Sequence, residues 1–284
     1  MVALFLCLVT PGVVGDTIST DVVIPVFITL HYFPKWTLDE QNKNLVIPIF
    51  TVAGIPPSAY DTAYPSTLDC CDDIFVLPHA DPTWPNHKNL YRWNNSAAAG
   101  GCRGWIWAGC HGMSALENLS NSDDYEVHGD SLMNFLTTEG LVLWYDHEDG
   151  TPPYTYDYPT DPIMQFMGIL DGSTENGSEQ IALPAAPGDW RQGVRVGVWD
   201  PDQKDSLISG GKAAKVAWGR AFDQAERGMV LHEGGHRTNG GTEAQNVAAQ
   251  RIFLNFCFSA MGEREPTLSL SAKPYYRSGL PDTI

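Results

Sequence analysis

Positive charge is scarce in this chain. Its 284 residues hold 17 Lys and Arg against 34 Asp and Glu, a formal net charge of -17. Nucleic acid and anionic membrane surfaces repel a chain of that sign, so neither is expected as a partner. Charge of any sign is sparse at 18%, while 43% of the residues are hydrophobic. That is the balance of a folded globular protein long enough for a sizeable core. The acidity suits an exported or salt-tolerant protein. Cysteine is sparse as well. Cys7, Cys70, Cys71, Cys102, Cys110 and Cys257 are too few and too irregular for a disulfide framework, and no Cys-x-x-Cys pair suggests a zinc ribbon. They leave room for a single bridge, from Cys70 or Cys71 to Cys102. Internal repeats are missing. Beyond the N-terminus, no stretch approaches the roughly 18 apolar residues that span a bilayer.

The N-terminus, "MVALFLCLVTPGVVGDT", has an apolar run like the core of a signal peptide, with small residues near Gly15. It lacks the positive charges that normally precede such a run. Two readings of residues 1–15 stand: a signal-like segment, or an internal strand at the start of a truncated gene model. Residues 16–262 are expected to form one α/β domain with a loop-rich insertion at about 147–190, and residues 263–284 a Pro-rich linker or tail. Asn94, Asn118 and Asn176 each open an Asn-x-Ser sequon, which matters in a secreted glycoprotein.

Strand candidates are "DVVIPVFI" (21–28), "LVIPIFTVAGIP" (45–56), "CDDIFVLPHADPTW" (71–84, a buried strand running into a loop), "GLVLWYD" (140–146), "GVRVGVWD" (193–200), "AAKVAWG" (213–219) and "GMVLHEG" (228–234). Helical patterns lie at 86–101, stopping at its paired glycines, and at 242–261, the latter with Thr242 as N-cap. In the first half, strands alternate with helical segments, which predicts parallel pairing through crossovers.

Two motifs carry candidate chemistry. His232-Glu233-Gly-Gly-His236 spells the zinc-protease pattern, which needs both imidazoles one helical turn apart and Glu233 as general base. Gly234 and Gly235 oppose a helix there, each by about 1 kcal/mol relative to Ala. The apolar "GMVL" before the motif reads as a strand, so no metal is expected at this pair. The second motif is "WIWAGCHGMSALENL" (105–119). An apolar strand, a turn flanked by Gly109 and Gly112, and a helical pattern make a nucleophile elbow with Cys110 at its tip. A helix N-terminus favours the thiolate. The alternative is a buried structural cysteine in a tight turn. His79 and Asp81 end the run "IFVLPHAD", where open α/β sheets bind ligands. Either they line a pocket with Cys110, or Asp81 caps the turn into Pro82 and His79 bonds locally. Trp84, Trp93, Trp105 and Trp107 suit a sugar-binding platform or the core; such residues in strands more often belong to the core.

On these residues the sequence resembles the class I glutamine amidotransferase-like superfamily. "AGCHG" is similar to the elbow of its DJ-1/PfpI group, "DIFVLPHAD" to the strand before that elbow, and "AAKVAWGRAFDQAERGMVLHEGGHR" to ThuA-like members. "AGIP", "PHADPTW", "QFMG", "NGSEQ" and "VAAQRIFLNF" resemble segments of large bacterial surface proteins of unassigned activity. The resemblance covers about residues 45–261 and implies a mostly parallel, flavodoxin-like central sheet flanked by helices on both faces. It assigns Cys110 as nucleophile, His111 as the following His, and His236 as the triad His, in a pocket lined by His79, Asp81, Gly109, Gly112 and Glu233. Thr238 stands where glutaminases carry a Glu, and "VIPIFTV" supplies no early acidic partner. No cofactor is implied. Three functions are thus expected in order: a Cys-dependent hydrolase or transferase; a catalytically inactive module binding a small molecule, peptide or glycan within a larger surface protein; and a zinc metallopeptidase through His232, Glu233 and His236. The expected location is secreted or cell-surface.

Overall fold

The computed structural model describes residues 35–78, 88–98, 101–109, 124–127, 135–138, 143–146, 153–166, 168–170, 180–182, 190–201, 213–234 and 242–263. In chain order the elements are β1 (Trp36–Asp39), α1 (Ile47–Val52), β2 (Tyr60–Ala63), β3 (Ile74–Leu77), α2 (Lys88–Trp93), β4 (Trp105–Gly109), β5 (Asp124–Val127), β6 (Leu143–Asp146), β7 (Thr155–Tyr156), β8 (Gln180–Ala182), β9 (Arg195–Asp200), β10 (Ala213–Arg220), β11 (Met229–Glu233) and α3 (Glu243–Glu263). The expected strand at 21–28, the tail from 264, Asn118 and Asn176 lie outside the described residues.

One sheet runs β2-β1-β3-β4-β11-β10-β8-β6-β5, with β9 on β10 and β7 on β9. The pairs β1/β2, β1/β3, β3/β4 and β4/β11 are parallel. The pairs β10/β11, β10/β8, β10/β9, β5/β6, β6/β8 and β7/β9 are antiparallel. The expected mostly parallel sheet with helices on both faces is therefore corrected to a mixed sheet with an antiparallel majority. Parallel neighbours need a crossover of a dozen or more residues, usually a helix. β3 and β4 are joined through α2, but only residues 221–228 separate β10 from β11, enough for a hairpin and not for a return crossover.

Strand alternation divides the core. Phe75, Leu77, Ile106, Ala108 and Val230 pack on one face with Leu90 and Trp93 of α2. Ile74, Val76, Trp105, Trp107 and Leu231 pack on the other with Ile49 and Phe50 of α1 and Ile252, Phe253, Phe256 and Cys257 of α3. Burying each large apolar side chain fully is worth about 1.5–3 kcal/mol. Among the described residues, the helix cover is uneven: the 21-residue α3 and α1 serve one face, and six-residue α2 the other.

Residues 45–56 hold helix α1 instead of a strand. Pro48 sits in its first turn, where a missing N–H costs nothing, and one turn buries Ile49 and Phe50 together. The true early strand is β1, whose four residues are all buried. Cys70 bridges Cys102, while Cys71 is exposed and free. Asn94 is no glycan site. It is fully buried, and its Nδ2 donates to the carbonyls of Gly104 at 2.8 Å and Gly228 at 3.2 Å. The described part of the 147–190 segment enters the core through Tyr154, Ile163, Met164 and Leu170. No helix among the described residues is long and apolar enough to cross a membrane.

Candidate functional site

β4 is an inner strand, buried along its whole length between β3 and β11. Its sequence alternates Trp105 and Trp107 toward α3 with Ile106 and Ala108 toward the opposite core. Gly109 ends it for a steric reason. A Cβ there would lie 2.9 Å from the Pro78 carbonyl oxygen and 2.8 Å from a Trp107 ring carbon, closer than real Cβ atoms come, and the carbonyl cannot move aside. Cys110 is the next residue of the chain.

β11 brings a distant part of the sequence beside Gly109. Glu233 is in register with Gly109, and His232 with Ala108. The two side chains leave opposite faces of the strand. Glu233 turns toward α3, where its Oε2 accepts a 2.9 Å hydrogen bond from Trp107 Nε1. Its Oε1 has no hydrogen-bond partner among the described residues. Burial pushes this carboxyl up to about 8, against the opposing pull of Trp107. It is protonated at neutral pH. His232 is fully buried in the row of Ala108 and Ala217. Burial, with the nearby Lys215 charge adding to it, holds its imidazole down at about 3. Lys215 is itself buried, its Nζ lying 5.2 Å from the centre of the Tyr154 ring.

Of the expected site residues, Gly109 and Glu233 thus meet across adjacent strands. Cys110, His111, Gly112, His79, Asp81 and His236 lie outside the described residues. The strand expected over the start of the zinc-protease motif is present as Met229–Glu233, so no helical turn begins at His232, and His232 and Glu233 face opposite ways. Several buried acids were not expected from the sequence, among them Asp72, Asp73, Asp161, Asp200 and Asp39. Asp39 ends β1, its Oδ2 accepts from Asn42 N and Nδ2 at 3.0 Å each, and burial raises its carboxyl to about 6. The stretch "VIPIFTV" holds no acid and largely forms α1. The signal for Asp39 was the short apolar run "WTLD" stopped by an acid before the Asn42 turn. β3 separates Asp39 from β4.

A cleft of about 620 Å3 opens at the other edge of the sheet, among Trp105, Trp218, Met229 and the 3-10 helix Pro162–Met164. It lies where β4 and β11 begin, away from the ends that carry Gly109 and Glu233. Trp105, from the suggested aromatic platform, is buried at its base, and Trp107 and Trp93 belong to the cores.

No protein-family model matches this chain, and no curated protein matches it.

Proposed function

We propose that this chain is a cysteine-dependent hydrolase or transferase akin to the class I glutamine amidotransferase-like proteins, with Cys110 as nucleophile. The observation that carries the reading is the register of Gly109 with Glu233. A strand whose last residue must be glycine ends one position before Cys110, and a fully buried, protonated carboxyl lies across from that end. In the proposed reaction Cys110 gives its proton to an imidazole, of His111 or His236, and the thiolate adds to the carbonyl carbon of an amide or ester. The C–N or C–O bond breaks as the imidazole protonates the leaving group, and water or another acceptor then takes the acyl group from sulfur. An exported location is part of the proposal, supported by the Cys70–Cys102 bridge, since disulfides persist in oxidising compartments.

Iodoacetamide labelling across pH, read by peptide mass, tests this. Cys110 is expected to label below the range of an ordinary thiol, whose pKa is about 8.5, and ahead of Cys71, the exposed free thiol that serves as internal reference. Cys257, buried and pushed up to about 12, is expected to stay unlabelled in the folded protein. If Cys110 reacts no faster than Cys71, the nucleophile reading fails. A second reading, a module that binds a ligand without turning it over, is favoured by the burial of both His232 and Glu233 and by the cleft at the opposite edge.

A further inference from the structure

The cleft at the start of β4 and β11 has the volume of a small-molecule site, about 620 Å3. Its base is apolar: Trp218 and Trp105 are 2% and 3% exposed, and Ile163 and Met229 complete it. Two guanidiniums border it. Arg195 of β9 stands directly across from Trp218 of β10. Arg220 lies two residues further along β10, so both start from one face of adjacent strands in diagonal positions. Both are held in place by the protein. Arg195 Nη1 is ion-paired with the buried carboxylate of Asp161, whose other oxygen accepts from Ile163 N at 2.9 Å. Arg220 Nη1 donates to the Arg227 carbonyl at 2.8 Å. The Arg195 side chain remains 53% exposed.

Backbone strain gathers at the same place. Among the described residues, four other than glycine have positive φ: Arg103, Tyr158, Phe222 and Asp223. Asp223 lines the cleft beside Phe222, and the Tyr158 ring lies 6.1 Å from Trp218 and 5.8 Å from the Arg195 guanidinium. Left-handed backbone at residues with side chains costs of order 1–3 kcal/mol each and clusters at ligand clamps. Gly193 belongs to this clamp. Its N–H donates to Asp223 Oδ1 at 3.1 Å, and a Cβ would lie 2.7 Å from that oxygen. Arg191 and Arg227 lie over the Phe222 ring, at 4.8 and 4.6 Å, which packs against the opposite core and outside the cleft lining.

A guanidinium fork matches a carboxylate in geometry and charge. Buried Asp161 and exposed Asp223 oppose a ligand of higher negative charge, and the tryptophan base asks for an apolar body. We propose that this cleft binds a small organic monocarboxylate with an apolar body, its carboxylate held by Arg195 and Arg220 and its body against Trp218 and Met229. The proposal is independent of Cys110.

Calorimetry and ligand-observed NMR on the full chain test it, with phenylacetate and indole-3-acetate as probes and phenylacetamide and inorganic phosphate as comparisons. Both acids are expected to bind, phenylacetate at least roughly tenfold more tightly than its amide, with phosphate failing to displace it. Arg220→Ala is expected to erase the preference for acid over amide at an unchanged melting temperature. Arg195→Lys keeps the charge facing Asp161 and removes the fork, so it serves if Arg220→Ala folds poorly; it is expected to weaken phenylacetate roughly fivefold or more. Cys110→Ser is expected to bind as the parent does, which separates this site from the proposed nucleophile. Equal binding of acid and amide, displacement by phosphate, or no binding of either acid up to roughly 10 mM overturns the proposal.

Discussion

Glu233 and His232 are consecutive residues whose ionisation pulls stability in opposite directions. Glu233 keeps its proton to about pH 8 in the folded chain, against a reference near 4.5. The folded state therefore binds more protons between those values, and this contribution to stability is lost as pH rises through the window. His232 stays neutral down to about 3 against a reference of 6.5, so its contribution is lost as pH falls through that range. The two slopes oppose each other between pH 4.5 and 6.5. Glu233→Gln keeps an acceptor for Trp107 and removes the titration. Urea denaturation is expected to give the variant a stability near the parent's at acid pH and an advantage on the order of 4 kcal/mol near pH 8. Parallel pH profiles for variant and parent would contradict the buried, protonated Glu233. The motif His232-Glu233 was legible in the sequence as a candidate. Its nearness to Gly109 was implied by the resemblance, but its partner Trp107 was not, because more than a hundred residues separate them and only strand pairing joins them.

Among the elements, α3 was the most legible. Thr242 and Gln245 form a reciprocal cap: Thr242 N donates to Gln245 Oε1 at 2.9 Å, and Gln245 N to Thr242 Oγ1 at 3.4 Å. Apolar residues at helical spacing, from Ala248 and Ala249 to Cys257 and Ala260, then face the core. Thr242→Ala is expected to cost about 1 kcal/mol, the usual worth of an N-cap, in a thermal or urea melt; no loss would mean that packing alone fixes the helix start. α1 was misread because a short apolar run such as Ile47–Val52 has no period long enough to separate strand from helix. Its answer lay in Pro48, which suits a first helical turn and cannot donate to a strand ladder. β10 and β11 were found as strands, but their direction was not read, although the eight-residue gap between them already argued for a hairpin.

At the scale of the whole molecule, the Cys70–Cys102 bridge ties the approaches to β3 and β4 across a separation of 32 residues, with α2 inside the loop. Closing a loop of that length removes freedom from the unfolded chain. Cys70→Ser with Cys102→Ser is expected to lower stability by roughly 3–4 kcal/mol and the melting temperature by roughly 10 °C. A melting temperature insensitive both to this double variant and to reductant would show that the pairing contributes nothing in solution. The sequence by itself determined what local chemistry decides: the acidic balance, the buried strands at β3, β4, β9, β10 and β11, the cap and face of α3, and the strand nature of the His232-Glu233 stretch. Tertiary structure alone decided which strands are neighbours and in which direction they run. It also chose Cys70 over Cys71 for the bridge, set the buried and protonated state of Glu233, and gathered Asp161, Arg195, Trp218, Arg220 and Asp223 around one cleft. The physical reason is that periodicity and capping act over a turn or a pleat of chain. Pairing, desolvation and cavities arise only when segments far apart in sequence share one surface.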